Sequence, residues 1–201
     1  MSELGDQLLA VHDGLDAAGI AHAIGGAIAL GYCVLEPRGT RDVDVNVFVG
    51  PERAREVFAA MPEGVELSGA QLEQAERDGQ VRLRWGITPV DLFLSVLPFH
   101  DRIETHVRHV PFEGRTIPVL DCTGLAVFKA MFARPRDWVD IEAMVEARSL
   151  DIEEAIGWIR EMVGDDERIA KLNALRTASS SPADRPQSPR LPTGAAPDGL
   201  A

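Results

Sequence analysis

Cysteine is nearly missing from this chain: Cys33 and Cys122 are the two it holds in 201 residues. They are too few and too isolated for a disulfide framework or a metal-binding pair, so a reduced, intracellular setting is expected. Long apolar runs are missing as well. No stretch reaches the roughly 18 uninterrupted apolar residues of a membrane span. The opening MSELGDQLLAVHDGLDAAGI is acidic and amphipathic, with no basic region ahead of an apolar core, so no secretory signal is expected. A cytoplasmic protein without membrane contact fits. Positive charge is scarce: 20 Lys and Arg stand against 32 Asp and Glu, a net charge of −12. After Arg176, Arg185 and Arg190 cancel Asp184 and Asp198, so the acidity belongs to the folded body. A broad, non-specific nucleic-acid surface is therefore disfavoured, whereas a local basic groove is not. No internal repeat is visible. His100, His106 and His109 are irregularly spaced, form no convincing metal set and read as structural.

What is present is the composition of an ordinary globular protein, 45% apolar and 26% charged, with enough chain for a real core. Helical spacing of Leu8, Leu9, Val11, Leu15 and Ala18 opens the chain, and Ile20–Ile24 reads as a short strand ending at Gly25-Gly26. A brief helix over 27–33, a strong strand over 41–49 and a helix from about Glu52 to Met61 follow. Short strands are expected near 64–69, 81–86, 89–96, 106–112 and 115–119. From Asp121 the pattern turns helical, with Asp121 or Thr123 as cap and further helices near 137–148, 151–163 and 166–175. The expected fold class is α+β: a mixed β-sheet core over 1–120, then a C-terminal helical part over 121–176 completing a cleft. Residues 177–201, rich in Pro, Ser and Ala, read as a disordered tail.

The chemistry sits on two strands. In Arg41-Asp-Val-Asp-Val-Asn-Val47, alternation places Asp42, Asp44 and Asn46 on one face and the valines on the other. Adjacent carboxylates repel and need a cation, and Mg²⁺ favours carboxylates combined with nucleotide phosphates. In Pro89-Val-Asp-Leu-Phe-Leu-Ser95, Asp91, Phe93 and Ser95 share a face, so pairing the two strands adds a third carboxylate. Gly25-Gly26, between a strand and a helix, lets backbone N–H groups approach phosphate oxygens. Lys129, alone in the apolar run Leu125–Phe132, either snorkels or reaches an anion. Asp137 and Asp140 lie three apart and share a helical face. Arg38, Arg41, Arg82, Arg84, Arg134 and Arg136 are candidates to rim the cleft. Trp85 and Trp138 are candidates for base stacking or for the core.

Together, Gly25-Gly26, Arg38-Gly-Thr40-Arg-Asp42-Val-Asp44 and the later Asp91 resemble the nucleotidyltransferase superfamily, with its DNA polymerase β-like fold. Within it, the chain resembles the AbiEii/MenT-type toxin nucleotidyltransferases. Lys129 followed by Arg134-Pro-Arg-Asp137-Trp-Val-Asp140 resembles that family's further motif, although the spacing from Lys129 to Arg134 is short. Gly-Gly stands where many members of the superfamily have Gly-Ser. The resemblance covers roughly residues 5 to 150. It implies an NTP held by Gly25, Gly26, Arg38, Thr40 and Lys129. It further implies one or two Mg²⁺ ions on Asp42, Asp44 and Asp91, and a catalytic set of Asp42, Asp44, Asp91 and Lys129 with Asp137 and Asp140, the functional one of the last two left open.

The implied activity is nucleotide transfer to the 3′ end of tRNA, blocking translation, by the toxin of a toxin–antitoxin system with a cognate antitoxin as partner. Two rivals stand beside it. One is a small-molecule enzyme resembling aminoglycoside or lincosamide nucleotidyltransferases, whose cationic substrates suit the acidic body. The other is a catalytically silent binding module or antitoxin on the same fold.

Overall fold

The computed structural model of this chain describes residues 3–180. Helix α1 (Glu3–Ala17) leads to β1 (His22–Ile24), α2 (Gly26–Val34) and β2 (Val43–Val47). A 3₁₀ turn at Pro51–Arg53 opens α3 (Ala54–Ala59). Then come β3 (Val65–Glu66), α4 (Gly69–Asp78), β4 (Gln80–Trp85), β5 (Thr88–Leu94), α5 (Phe99–Thr105), β6 (Arg108–Phe112) and β7 (Arg115–Val119). Four helices finish the described chain: α6 (Cys122–Phe132), α7 (Pro135–Glu146), α8 (Ile152–Val163) and α9 (Glu167–Ser180). The architecture is α+β, as the sequence indicates.

The strands form one mixed sheet in the order β3-β4-β5-β2-β1-β7-β6. β2 takes the central place because one of its faces is wholly apolar: Val43, Val45 and Val47 are fully buried. Its neighbour β5 runs parallel to it and contributes Val90, Leu92 and Leu94 to the same core. Pairing of β2 with β1 and of β5 with β4 is antiparallel. The alternate positions on β2 and β5 are left for polar work, and α6 and α7 stand over them.

Several expectations are corrected. The helix expected over 52–61 is a 3₁₀ turn followed by the six-residue α3. The strand near 64–69 shrinks to Val65–Glu66, and α4 begins directly after it. Ser68 caps α4 by accepting a hydrogen bond from the Gln71 N–H, and Gly79 at φ +67° closes it. Only Ala75 of α4 is buried, so the helix lacks the apolar stripe by which helices are read from sequence. α5 is the second helix the pattern does not announce.

Cys33 and Cys122 are not isolated thiols. They form a disulfide between α2 and α6, with Cα atoms 5.6 Å apart across 89 residues of sequence. Sequence distance says nothing about spatial distance when two helices pack together, which removes the argument for a reduced setting. α9 continues to Ser180, so 177–180 are helical rather than part of a tail. The remainder of the expected tail, 181–201, lies outside the described residues.

Candidate active site

Register places the acidic residues. Asp44 on β2 pairs directly with Asp91 on β5, so both carboxylates project from the same sheet face at the same level. Asp42 lies just before β2, where its N–H donates to Thr40 Oγ1 at 3.2 Å. All three line a cleft of about 650 Å³. The Asp44 carboxyl is pushed up to about 6, first by burial and then by the negative charges of Asp91 and Asp42.

The glycine turn is built around Asp44. The Gly25 N–H donates to the Asp44 carbonyl at 2.8 Å, tying the end of β1 to β2. Gly26 adopts φ +54°, and a Cβ there would lie 1.9 Å from Asp44 Oδ2. Both the conformation and the space therefore demand glycine at position 26. The first turn of α2 thus opens beside the carboxylates. Gly26 lines the cleft and Gly25 does not.

Opposite stand α6 and α7. Lys129 is buried, its ammonium 2.7 Å from Asp140 Oδ2 and 3.7 Å from Asp137 Oδ1. Asp137 also accepts from the Arg134 guanidinium at 2.7 Å and from the Arg134 N–H at 3.1 Å. The two acidic residues of α7 therefore hold Lys129 and Arg134 in place. Both have structural partners, and both line the cleft.

Arg38, Gly39, Thr40 and Arg41 form the third wall. Arg38 Nε is buried without a hydrogen-bond partner, a donor awaiting an acceptor. Arg84, Trp85 and Trp138 line neither this cleft nor the smaller cavity beside it.

That smaller cavity, about 290 Å³, shares Gly26, Asp44, Arg82, Asp91, Lys129 and Arg134 with the cleft. Its outer wall is Gln74, Gln80, Phe93, Phe128 and Phe132. Phe93 meets Phe132 edge to face, with ring centroids 5.9 Å apart. Strand alternation sets Phe93 on the face of Asp91, and that alternation is the sequence signal for its place in the cavity. Gln74 was out of reach because α4 itself was not legible.

Among the described residues, no group of three or more His, Cys, Asp or Glu side chains is gathered into a cluster ready to hold a metal ion. Asp42, Asp44 and Asp91 face one space, yet Asp91 is engaged by Arg82, which donates to its two oxygens at 2.7 and 2.6 Å.

Comparison with solved structures follows from this geometry. The crystal structure of ANT(2″)-Ia in complex with adenylyl-2″-tobramycin superposes with a TM-score of 0.53 at 12% identity, covering 88% of this chain and 99% of that one. The solution structure of the same antibiotic-resistance factor gives 0.50 at 15% identity, covering 87% and 90%. This chain has the nucleotidyltransferase fold. No protein-family model matches its sequence, and no curated protein matches it.

Proposed function

We propose that the chain transfers a nucleotidyl group from a nucleoside triphosphate to a hydroxyl acceptor. The observation that carries this reading is the in-register pair Asp44 and Asp91 facing Lys129 across a cleft rimmed by guanidinium groups. Residues up to 120 then act as the nucleotidyltransferase core, and 121–176 as the helical part that completes the cleft.

Asp42, Asp44 and Asp91 are the residues that would hold Mg²⁺, as one ion or two. The donor chemistry fits, although the three are not gathered into a ready cluster: all are hard oxygen ligands lining one cleft, and the raised Asp44 carboxyl marks negative charge that a divalent ion relieves. Bound there, Mg²⁺ supplies charge neutralisation at the phosphates and a lower pKa at the acceptor hydroxyl. The remaining work belongs to the chain. The first turn of α2 at Gly26 presents backbone N–H groups to phosphate oxygens. Lys129, held by Asp140, offsets the charge of the triphosphate, and Arg38 Nε donates to it. Asp91 draws the proton of the acceptor hydroxyl as its oxygen bonds to the α-phosphorus. The bond from that phosphorus to the departing pyrophosphate breaks in line.

For the acceptor we favour the 3′ end of tRNA, with the chain acting as the toxin of a toxin–antitoxin pair and a cognate antitoxin as partner. The support is the order of motifs from Gly25-Gly26 through Asp44 and Asp91 to Lys129 and Asp140. An NTP and a tRNA as substrates would put the reaction in the cytoplasm; no helix among the described residues is long and apolar enough to cross a membrane. The second reading is a small cationic acceptor such as an aminoglycoside, which the net charge of −12 suits. A silent binding module has less support, since the carboxylate pair and Lys129 all line the cleft.

The test is incubation of the purified protein with each α-phosphate-labelled NTP, Mg²⁺ and either total tRNA or a panel of aminoglycosides and lincosamides. Label on tRNA supports the first reading, and label on a drug moves the acceptor to the second. No label on either overturns nucleotidyl transfer to these acceptors. A D42A/D44A double variant sets the background.

A further inference from the structure

Across β4, β5 and β2, three charged residues stand in one row: Arg82 pairs in register with Asp91, and Asp91 with Asp44. The Arg82 fork takes both oxygens of Asp91, Nε to Oδ1 at 2.7 Å and Nη2 to Oδ2 at 2.6 Å. The same Nη2 lies 3.7 Å from Asp42 Oδ2. A single guanidinium thus stands between two of the three carboxylates that would bind a divalent ion. The strand beneath it is fixed, because the Arg82 carbonyl accepts from Gln71 Nε2 on α4 at 3.2 Å. The side chain itself is open to solvent, 56% exposed against 13% for Asp91. A bidentate charged pair is geometrically specific, but exposure on one side keeps it weak enough to exchange.

We propose that Arg82 is the built-in counter-cation of the acidic row and gives up Asp91 when a divalent ion enters. The inference rests on the nucleotidyl-transfer reading, in which Asp91 is a metal ligand. Two consequences follow from charge alone. Arg82 keeps Asp91 and Asp42 from repelling each other while no other cation neutralises them, and it competes with the metal for Asp91. Arg82 also lines both cavities. Once displaced, it stays at the boundary between the phosphate cleft and the smaller cavity.

The experiment is direct measurement of Mn²⁺ binding, by the loss of the free-ion electron paramagnetic resonance signal. The samples are wild type, R82Q, R82K, D91N and R82Q/D91N, each checked for a cooperative thermal transition. R82Q is expected to bind Mn²⁺ about tenfold more tightly than wild type, the scale of losing one half-exposed bidentate pair. R82K, which keeps the charge but loses the fork, is expected to fall between them. D91N is expected to bind weakly, and R82Q/D91N no better than D91N. Equal affinity in wild type and R82Q, or weaker binding in R82Q, overturns the role of Arg82 while leaving the metal-dependent reading in place. Absence of saturable Mn²⁺ binding in both proteins overturns the two together.

Discussion

Asp44 sits where burial and two acidic neighbours all oppose its ionisation, and that tension is measurable. Burial, then Asp91 and Asp42, push its carboxyl up to about 6 in the folded chain, above the usual carboxylate range. The folded state therefore holds this proton more tightly than the unfolded chain does, so the cost of ionising Asp44 appears as pH rises through that window. D44N removes the charge. It is expected to melt above wild type at pH 8, with the difference shrinking towards pH 4, as followed by thermal unfolding in buffers without divalent ions. Lys129 is the opposite case. Its removal as K129M strands Asp140 in a buried setting, while Asp137 keeps Arg134, and breaking such a pair costs about 3–5 kcal/mol. K129M/D140N is expected to recover much of that stability in urea titrations without recovering transfer. Alternation on two strands made Asp42, Asp44 and Asp91 legible in the sequence, since one face of each strand is continuous valine and leucine. The clasp of Arg82 on Asp91 was not legible. It depends on the register of β4 against β5, which the tight connection at Gly86 and Ile87 sets.

α2 begins at the glycine turn and α6 carries Lys129, so the Cys33–Cys122 bond staples the two elements that flank the cleft. Neither sulfur-bearing residue lines either cavity. C33S/C122S is therefore expected to lose about 2–4 kcal/mol of stability in denaturant titrations. Below its melting temperature it should retain most of the transfer activity of wild type. Strongly patterned elements such as β2, β5 and α6 could be read directly from the chain. α4 could not, because it buries a single alanine. Its signature is the capping pair Ser68 and Gln71, whose side chains also share a hydrogen bond of 2.8 Å. The disulfide is invisible at this level because it is a consequence of helix packing, which spacing along the chain does not encode.

At the scale of the whole molecule, an acidic body encloses a cleft where cations concentrate. Of the chain's 20 Lys and Arg, the cleft gathers Arg38, Arg41, Arg82, Lys129, Arg134 and Arg136 beside five carboxylates, Asp42, Asp44, Asp91, Asp137 and Asp140. That mixture suits a polyanion brought in with a divalent ion better than it suits either alone. The sheet supplies Asp44, Asp91 and Arg82, and α6 with the start of α7 supplies Lys129 and Arg134 braced by Asp137 and Asp140, so the nucleotidyltransferase fold matters here as a frame that holds two charged walls face to face. The most direct measurement is the fate of label from α- and γ-phosphate-labelled NTP, compared between wild type and D44N at pH 8, where the variant is folded. Wild type is expected to leave the α-label on the acceptor and the γ-label in pyrophosphate. D44N is expected to be slower by at least about a hundredfold, the rate equivalent of losing several kcal/mol of charge stabilisation. Equal rates in the two proteins, or γ-label carried to the acceptor, would contradict nucleotidyl transfer at this site.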